Sequence, residues 1–200
     1  MKNDLKAASN IKIVIISTIL NAHIIRWARI LLSKGYNISV ISSEPNTWGV
    51  EDIPVIECLA YPSNFFLRRL FNEFIRTLRL RRNIISFKPD IIHLHSLDYI
   101  HPFMVACVNC FLNGFENMII STWGTDVIGN KENPGTVLGR WSKKMLLRQA
   151  KEITATSHFL AQATARLSPA GARIHVIPFG IDCNMFKKNN FVFEDVIEDY

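Results

Sequence analysis

Polar side chains that could bind a ligand stand at the ends of three short apolar runs. His95 closes one run, Trp123-Gly124-Thr125-Asp126 follows the next, and Ser157 follows the third. A tryptophan face can stack on an apolar ligand surface and its N–H can donate, an aspartate can bind a hydroxyl or cap a turn, and glycine lets the backbone pass close to a ligand. If the runs are parallel strands, their carboxyl ends meet at one edge of a sheet, where open α/β sheets bind ligands.

Two histidines share the run that ends at His95. His93 and His95 alternate with apolar residues, so both side chains should lie on the same face of a strand. A zinc pair is one interpretation, but no third or fourth ligand follows at metal spacing. We therefore expect no metal. We expect His95, at the carboxyl end of its strand, to form hydrogen bonds at the edge of the sheet where ligands bind.

The stretch that contains Ser157 is predicted to form strand, helix and strand. Ser157 can accept a hydrogen bond from the first N–H groups of the helix. Apolar residues at helical spacing then predict one buried stripe, made of Phe159, Leu160, Ala163 and Leu167. A helix N-terminus at a sheet edge favours anions and other ligands. A plain strand–helix–strand unit without a ligand is the alternative.

The same alternation extends along the chain. Apolar and β-branched runs predict strands, and apolar periodicity predicts helices. The strands fall at residues 11–17, 37–42, 53–59, 91–95, 117–122, 152–156 and 174–177, and the helices at 22–34, 64–87, 101–112, 137–150 and after Ser157. This order selects the α/β class with right-handed crossovers.

The turn after the first strand, residues 18–23, contains no glycine. Dinucleotide-binding folds need G-x-G-x-x-G at this turn, so a pyrophosphate cradle built from backbone alone is not expected. His23 stands at the helix start and could offer a side-chain donor instead. A surface or capping role for His23 is the simpler alternative.

Residues 64–87 are predicted to form a long basic helix. Its apolar stripe, which we expect to face the sheet, comprises Leu67, Leu70, Phe71, Phe74, Ile75 and Leu78, and the surrounding arginines are Arg68, Arg69, Arg76, Arg79, Arg81 and Arg82. Such a helix can dock on an anionic membrane or grip a phosphate of an acceptor, whereas a core helix with a solvated basic face is the simpler interpretation. No aromatic stacking platform accompanies the charge, so nucleic acid is not an expected partner.

Composition bounds these interpretations. The chain has 200 residues, a formal net charge of +6 and 48% hydrophobic residues, which suits one domain with an acidic partner. Its four cysteines are too few for a disulfide scaffold and fit a reducing cytosol. Lys2 and Lys6 precede an apolar run as in a signal peptide, but Lys12 interrupts that run, so a buried strand is the better interpretation.

The order of the motifs resembles the N-terminal domain of family 4 glycosyltransferases of the GT-B type. The motifs are KIVIIST, HIIRWARILLSKGY, KPDIIHLH, STWGTD, ITATSHFLAQATARL and IHVIPFGID. The family commonly shows H-G-x-D at STWGTD, so Trp123 stands where that histidine meets the acceptor and the transferred sugar. The resemblance implies a Rossmann-like three-layer α/β/α sandwich with a parallel sheet of about seven strands, which is one half of a GT-B fold.

The resemblance also implies a function: the domain binds the acceptor while a sugar is transferred from a nucleotide-sugar with retention of configuration, in glycan or polysaccharide biosynthesis. No metal or other cofactor is expected beside the nucleotide-sugar co-substrate. The implied site residues are Trp123 and Asp126 as catalytic residues, and His23, His95, Gly124, Ser157, Gly180 and Asp182 as substrate-binding residues. The basic amphipathic pattern, rather than the resemblance, adds Arg68, Arg69, Arg76, Arg79 and Arg82 as contacts to a membrane or anionic acceptor.

The expected domain organisation follows. Residues 1–10 are expected to be a flexible start, 11–186 the domain, and 187–200 a linker toward a donor-binding domain or subunit, without which the chain is expected to be inactive. Its expected partners are the nucleotide-sugar, a glycan or lipid-linked acceptor and an anionic membrane surface. The expected location is the cytoplasm, free or on the inner face of the cell membrane.

Other functions stay open at this stage. A non-catalytic Rossmann-like binding module, a subunit of a split transferase and a GT-B nucleotide-sugar epimerase fragment would share this alternation. A receiver domain would need an acidic cluster after the first strand and an aspartate at the end of the third. Ser17-Thr18 and Cys58-Leu59 offer neither.

Overall fold

The fold is a seven-stranded parallel sheet with helices on its faces. A computed structural model describes residues 10–17, 21–43, 45–46, 50–58, 65–97, 115, 117–128, 137–178 and 180. The strands are β1 Lys12–Ser17, β2 Asn37–Ser42, β3 Val55–Glu57, β4 Ile91–His95, β5 Met118–Thr122, β6 Glu152–Ala155 and β7 Ile174–Val176. They lie in the order β3-β2-β1-β4-β5-β6-β7, and every neighbouring pair is parallel. The predicted α/β class and Rossmann-like sheet are therefore confirmed.

Five helices accompany the sheet in the part of the chain that the structure describes. They are α1 Ala22–Ser33, α2 Phe66–Phe87, α3 Thr125–Ile128, α4 Val137–Gln149 and α5 His158–Ala165. The predicted helix at 101–112 lies outside the described residues. So do residues 1–9, Asp182 and residues 187–200.

Alternation along the strands divides the core into two clusters. On β1, Ile13 and Ile15 face one side of the sheet while Val14 and Ile16 face the other. The first side packs against α1 through Ile24, Ile25 and Ala28. The second side packs against α2 and α4, with buried contacts from Leu80, Ile84, Leu146 and Leu147. The strands that lead to His95 and Trp123, β4 and β5, each have a neighbouring strand on both sides.

Capping and turn residues set the ends of α1 and α2. Asn21 caps α1 by accepting hydrogen bonds from the backbone N–H of His23 and Ile24. Gly35, just after α1, has φ +87°, the left-handed conformation that glycine adopts without strain. Lys88 ends α2 with φ +51°, and Pro89 prevents the helix from continuing.

The predicted orientation of α2 is wrong. Leu67, Phe71, Phe74 and Leu78 are exposed, while Ile75 is only partly buried. The buried row is instead Thr77, Leu80 and Ile84, which belong to the other side of the same helix. Two apolar rows run along α2. The shorter row faces the sheet, where Leu80 and Ile84 pack with buried side chains of β1, β2 and β4.

Smaller differences concern α5 and β3. Phe159, expected in the buried stripe of α5, is exposed, whereas Leu160 is buried and Ala163 and Leu167 are partly buried. With only eight residues, α5 presents little more than one side to β6 and β7. The third strand is shorter than expected because its pairing with β2 extends only from Val55 to Glu57.

No helix within the described ranges is long and apolar enough to cross a membrane.

Candidate functional site

Three of the predicted site residues lie at the carboxyl end of the sheet. His95, the last residue of β4, pairs with Ser17 of β1 and Ser121 of β5. Trp123 directly follows β5, and Ser157 begins α5 two residues after β6. Because β1, β4, β5 and β6 are parallel neighbours, these positions share one end of the sheet.

Aromatic side chains pack together on the α1 side of this edge. The ring of His95 lies 5.7 Å from Trp123 and 6.2 Å from Trp27 between centroids, both in edge-to-face orientation. Trp27 also lies 5.8 Å from His93, and His23 lies 6.1 Å from Trp123. We call His23, Trp27, His93, His95 and Trp123 the aromatic cluster. Edge-to-face packing of this kind holds the rings in fixed orientations.

A chain of polar contacts runs from the aromatic cluster across the sheet. His95 Nε2 lies 3.3 Å from His93 Nδ1, and His93 Nε2 lies 2.7 Å from Ser121 Oγ. Ser121 Oγ in turn lies 2.7 Å from Thr154 Oγ1. We call these four residues the polar chain. It links the facing side chains of β4, β5 and β6, so the orientation of each imidazole depends on the next residue.

Both histidines of the polar chain are neutral. Burial lowers the pKa of His93 to about 4, and burial together with the neighbouring His93 lowers the pKa of His95 well below its ordinary value. His95 is 2% exposed. Its Nδ1 has no hydrogen-bond partner among the residues that the structure describes. A neutral imidazole can donate or accept one hydrogen bond per nitrogen, so His95 retains capacity for a ligand hydroxyl.

Asp126 is held by backbone groups. Its Oδ1 accepts hydrogen bonds from the N–H of Gly124 at 2.8 Å and of Trp123 at 3.1 Å, and its Oδ2 accepts from the N–H of Leu97 at 3.1 Å. The side chain is 1% exposed. This carboxylate therefore ties the loop after β5 to the end of β4 and fixes the position of Trp123.

Gly124 has a conformation that other residues rarely adopt. Its φ is +139°, and apart from its two chain neighbours no described residue places an atom within 4 Å of the position that a Cβ would occupy. The requirement for glycine is thus a requirement of the backbone, while the space beside it stays open for a ligand.

Ser157 has the capping role that the sequence predicted. Its Oγ accepts a hydrogen bond from the N–H of Leu160 at 3.2 Å. The residue is exposed at the start of α5. Whether its hydroxyl also binds a substrate stays a prediction.

The remaining predicted residues fall on two surfaces. Gly180 lies against α1, since Arg26 Nη1 donates to its carbonyl at 2.6 Å. Arg68, Arg79 and Arg82 are exposed on α2, on the opposite side of the sheet from the aromatic cluster. Arg76 is paired with Glu73 at 2.7 Å, and the side chain of Arg69 lies outside the described part. The arginines therefore do not take part in the aromatic cluster.

Comparison with known proteins decides the family. The profile of Glycosyltransferase Family 4 matches residues 20–185. The chain belongs to glycosyltransferase family 4. The Trp123-Gly124-Thr125-Asp126 loop and the aromatic cluster lie within the matched range.

Solved glycosyltransferase structures share the fold of this family 4 domain. A sucrose-phosphate synthase from Thermosynechococcus elongatus has a TM-score of 0.65 and 13% identity over 88% of this chain and 50% of its own. The lipopolysaccharide outer core galactosyltransferase WaaB has a TM-score of 0.57 and 12% identity over 86% of this chain and 46% of its own. No curated protein sequence matches the chain. The family 4 domain thus spans about half the length of both solved structures.

Sequence reasoning missed three members of the site. Trp27 on α1 was not singled out, although it contacts both histidines. Ser121 and Thr154 stand in otherwise apolar strands, and their meeting with His93 depends on the register between strands. The available signal was the hydroxyl residue within each apolar run.

Among the described residues, no group of three or more histidine, cysteine or acidic side chains could hold a metal ion.

Proposed function

We propose that this family 4 domain is the acceptor-binding half of a retaining glycosyltransferase that uses a nucleotide-sugar donor in glycan or polysaccharide biosynthesis. The observation that carries the proposal is the position of His95, Trp123 and Gly124 at the carboxyl ends of adjacent central strands. The family match, which includes this edge, supports it. Ligands bind at this edge in open α/β sheets.

In this proposal the aromatic cluster orients a sugar ring of the acceptor. Trp123 offers a flat apolar face, and Gly124 lets the ring approach the backbone. His95, which is neutral and buried, forms a hydrogen bond with a sugar hydroxyl. Asp126 acts as a positioning residue, because both of its oxygens already accept backbone hydrogen bonds.

The donor side of the reaction needs a second lobe. Transfer between two bound sugars requires both reactants to be held in contact and water to be excluded. In this proposal the residues at the carboxyl end of the sheet bind and orient the acceptor sugar. His95, the last residue of the polar chain on β4, is neutral. We propose that Ser157, Gly180 and Asp182 lie toward the donor-binding domain or subunit, and that no metal is required.

Genetic complementation tests the proposal. The coding sequence is deleted in the cell of origin, and the surface and lipid-linked glycans are profiled by mass spectrometry. We expect the deletion to remove or shorten one glycan and the wild-type gene to restore it. Trp123→Ala should restore about a tenth of it, since the loss of a stacking contact of about 1.4 kcal/mol lowers the rate about tenfold.

The matched control is Trp141→Ala on α4, because Trp141 is exposed and α4 packs against the side of the sheet opposite the aromatic cluster. It should restore the glycan fully. An unchanged glycan profile after the deletion would remove the proposed function. Normal restoration by Trp123→Ala, at equal protein level, would remove the aromatic cluster from the acceptor site.

A further inference from the structure

The outer side of α2 carries an exposed apolar stripe. Leu67 is 78% and Phe71 63% exposed, and Phe74 and Leu78 are also exposed. We call these four residues the α2 stripe. They recur at i, i+4, i+7 and i+11, so they form one continuous line along the helix. Phe65, just before α2, and Ile85, near its end, are exposed as well.

The exposure follows from how α2 is anchored. Thr77, Leu80 and Ile84 are buried against the sheet and occupy the other side of the helix. At about 100° per residue, Leu80 and Ile84 lie roughly 100° to 140° around the helix from Leu67. The α2 stripe therefore cannot reach the sheet while this anchor is intact.

Arginines run beside the α2 stripe. Arg68, Arg79 and Arg82 are exposed, and they lie roughly 60° to 120° around the helix from Leu67. Between residues 66 and 87 the sequence contains six arginines and one acidic residue, Glu73. Glu73 is paired with Arg76. The surface thus combines an apolar line with a strong positive charge.

The apolar line and the positive charge together indicate which partner can cover this surface of α2. A second copy docked through the same surface would bring arginines against arginines, which is unfavourable. A bilayer with acidic headgroups offers apolar depth for the stripe and negative charge for the arginines at the same time. We propose that the α2 stripe and its arginines dock this protein on an anionic membrane surface.

The position of α2 relates this surface to the candidate site. α2 follows β3, so its first turns lie near the carboxyl end of the parallel sheet, where His95 and Trp123 also lie. Docking would hold that edge close to the headgroups. The inference goes beyond the proposed function and does not depend on it, because membrane binding requires no sugar transfer.

Vesicle flotation tests the inference with the full 200-residue chain. One set of vesicles contains phosphatidylcholine alone, and a second contains about 30% phosphatidylglycerol, which gives the negative surface that arginines need. We expect the protein to float only with the second set, and less so as potassium chloride is raised. No flotation with the acidic vesicles would overturn the proposal.

Matched variants assign the binding to α2. Leu67→Ser/Phe71→Ser should weaken binding about tenfold or more because two apolar side chains no longer insert. Arg79→Ser/Arg82→Ser should weaken it about fivefold per arginine, whereas Lys34→Ser/Arg166→Ser removes the same charge from other exposed positions and should have a smaller effect. Ile30→Ser, at an exposed position of α1, is the control for the apolar pair.

Two further results would contradict the assignment. Equal binding by wild type and both α2 variants, with unchanged thermal unfolding, would place the membrane contact elsewhere. A dimer that depends on Phe71 and Phe74, seen by sedimentation in the absence of vesicle binding, would assign the stripe to a second copy.

Discussion

At the scale of single residues, Asp126 provides the sharpest test of the site loop. Asp126→Asn keeps the size of the side chain but replaces one accepting oxygen with an NH₂ group. Because the buried carboxylate accepts hydrogen bonds from three backbone N–H groups, we expect a loss of about 1–3 kcal/mol in the free energy of unfolding. Urea denaturation at pH 7 measures it.

Asp52→Asn is the matched control for that change. Asp52 is exposed and forms a surface ion pair with Arg29 at 2.7 Å. Its substitution should destabilise the protein less than Asp126→Asn. If the two variants unfold at the same urea concentration, Asp126 does not hold the loop as the geometry indicates.

The buried histidines predict a dependence of stability on pH. The pKa of His93 is about 4 in the folded protein, against about 6.5 in an unfolded chain. Below pH 6.5 the unfolded chain binds a proton that the folded protein does not, so stability falls as pH falls toward 4. For His93 alone this loss is about 2 kcal/mol at pH 5, and His95 adds to it.

Denaturation at pH 7 and pH 5 checks this dependence. His93→Gln/His95→Gln should reduce the difference between the two pH values, while His158→Gln, at an exposed position, should leave it unchanged. Proton NMR of the wild-type imidazoles gives a check that needs no variant. A midpoint near 6.5 for His93 or His95 would contradict the predicted neutral pair.

At the scale of elements, Ser157 joins a structural role to a predicted ligand role. Ser157→Ala removes the cap of α5 and should cost about 1 kcal/mol of stability. Ser157→Asp keeps an accepting oxygen at the N-cap and should retain most of that stability. Thermal unfolding of the pair measures the cap. Equal stability of the two variants would show that the cap contributes little.

Helix α2 shows that a sequence pattern can determine the bounds of a helix without determining its orientation. Its bounds were predicted to within about two residues, since apolar periodicity and Pro89 mark them. Its orientation was not, because residues 66–87 contain two apolar rows and periodicity does not say which row meets the sheet. Packing of Leu80 and Ile84 against buried strand residues decided it.

At the scale of the whole molecule, the sheet order predicts a gradient of protection. β1 and β4 have partners on both sides, whereas β3 and β7 are three-residue strands at the edges. Hydrogen exchange followed by mass spectrometry should therefore be slowest in β1 and β4 and fastest in β3 and β7. Equal protection of β7 and β4 in the isolated chain would mean that another part of the chain covers that edge.

The global fold was predictable from the sequence, but the details of the site were not. Runs such as KIVIIS and IIHLH, separated by periodic helices, specify parallel strands through local patterns. His95, Trp123 and Ser157 were placed at one edge because a parallel sheet aligns its strand ends. The contacts from His93 to Ser121 and from Trp27 to both histidines depend on register and helix rotation, which no local pattern encodes.

The hydrogen bond between Arg26 and the carbonyl of Gly180 joins positions 154 residues apart in the chain. It fastens the outgoing chain to the first helix, on the side of that helix next to His23 and Trp27. The place of Gly180 beside α1 therefore depends on a single guanidinium, and Arg26→Ala would release the backbone at Gly180 from the first helix without touching any strand of the sheet.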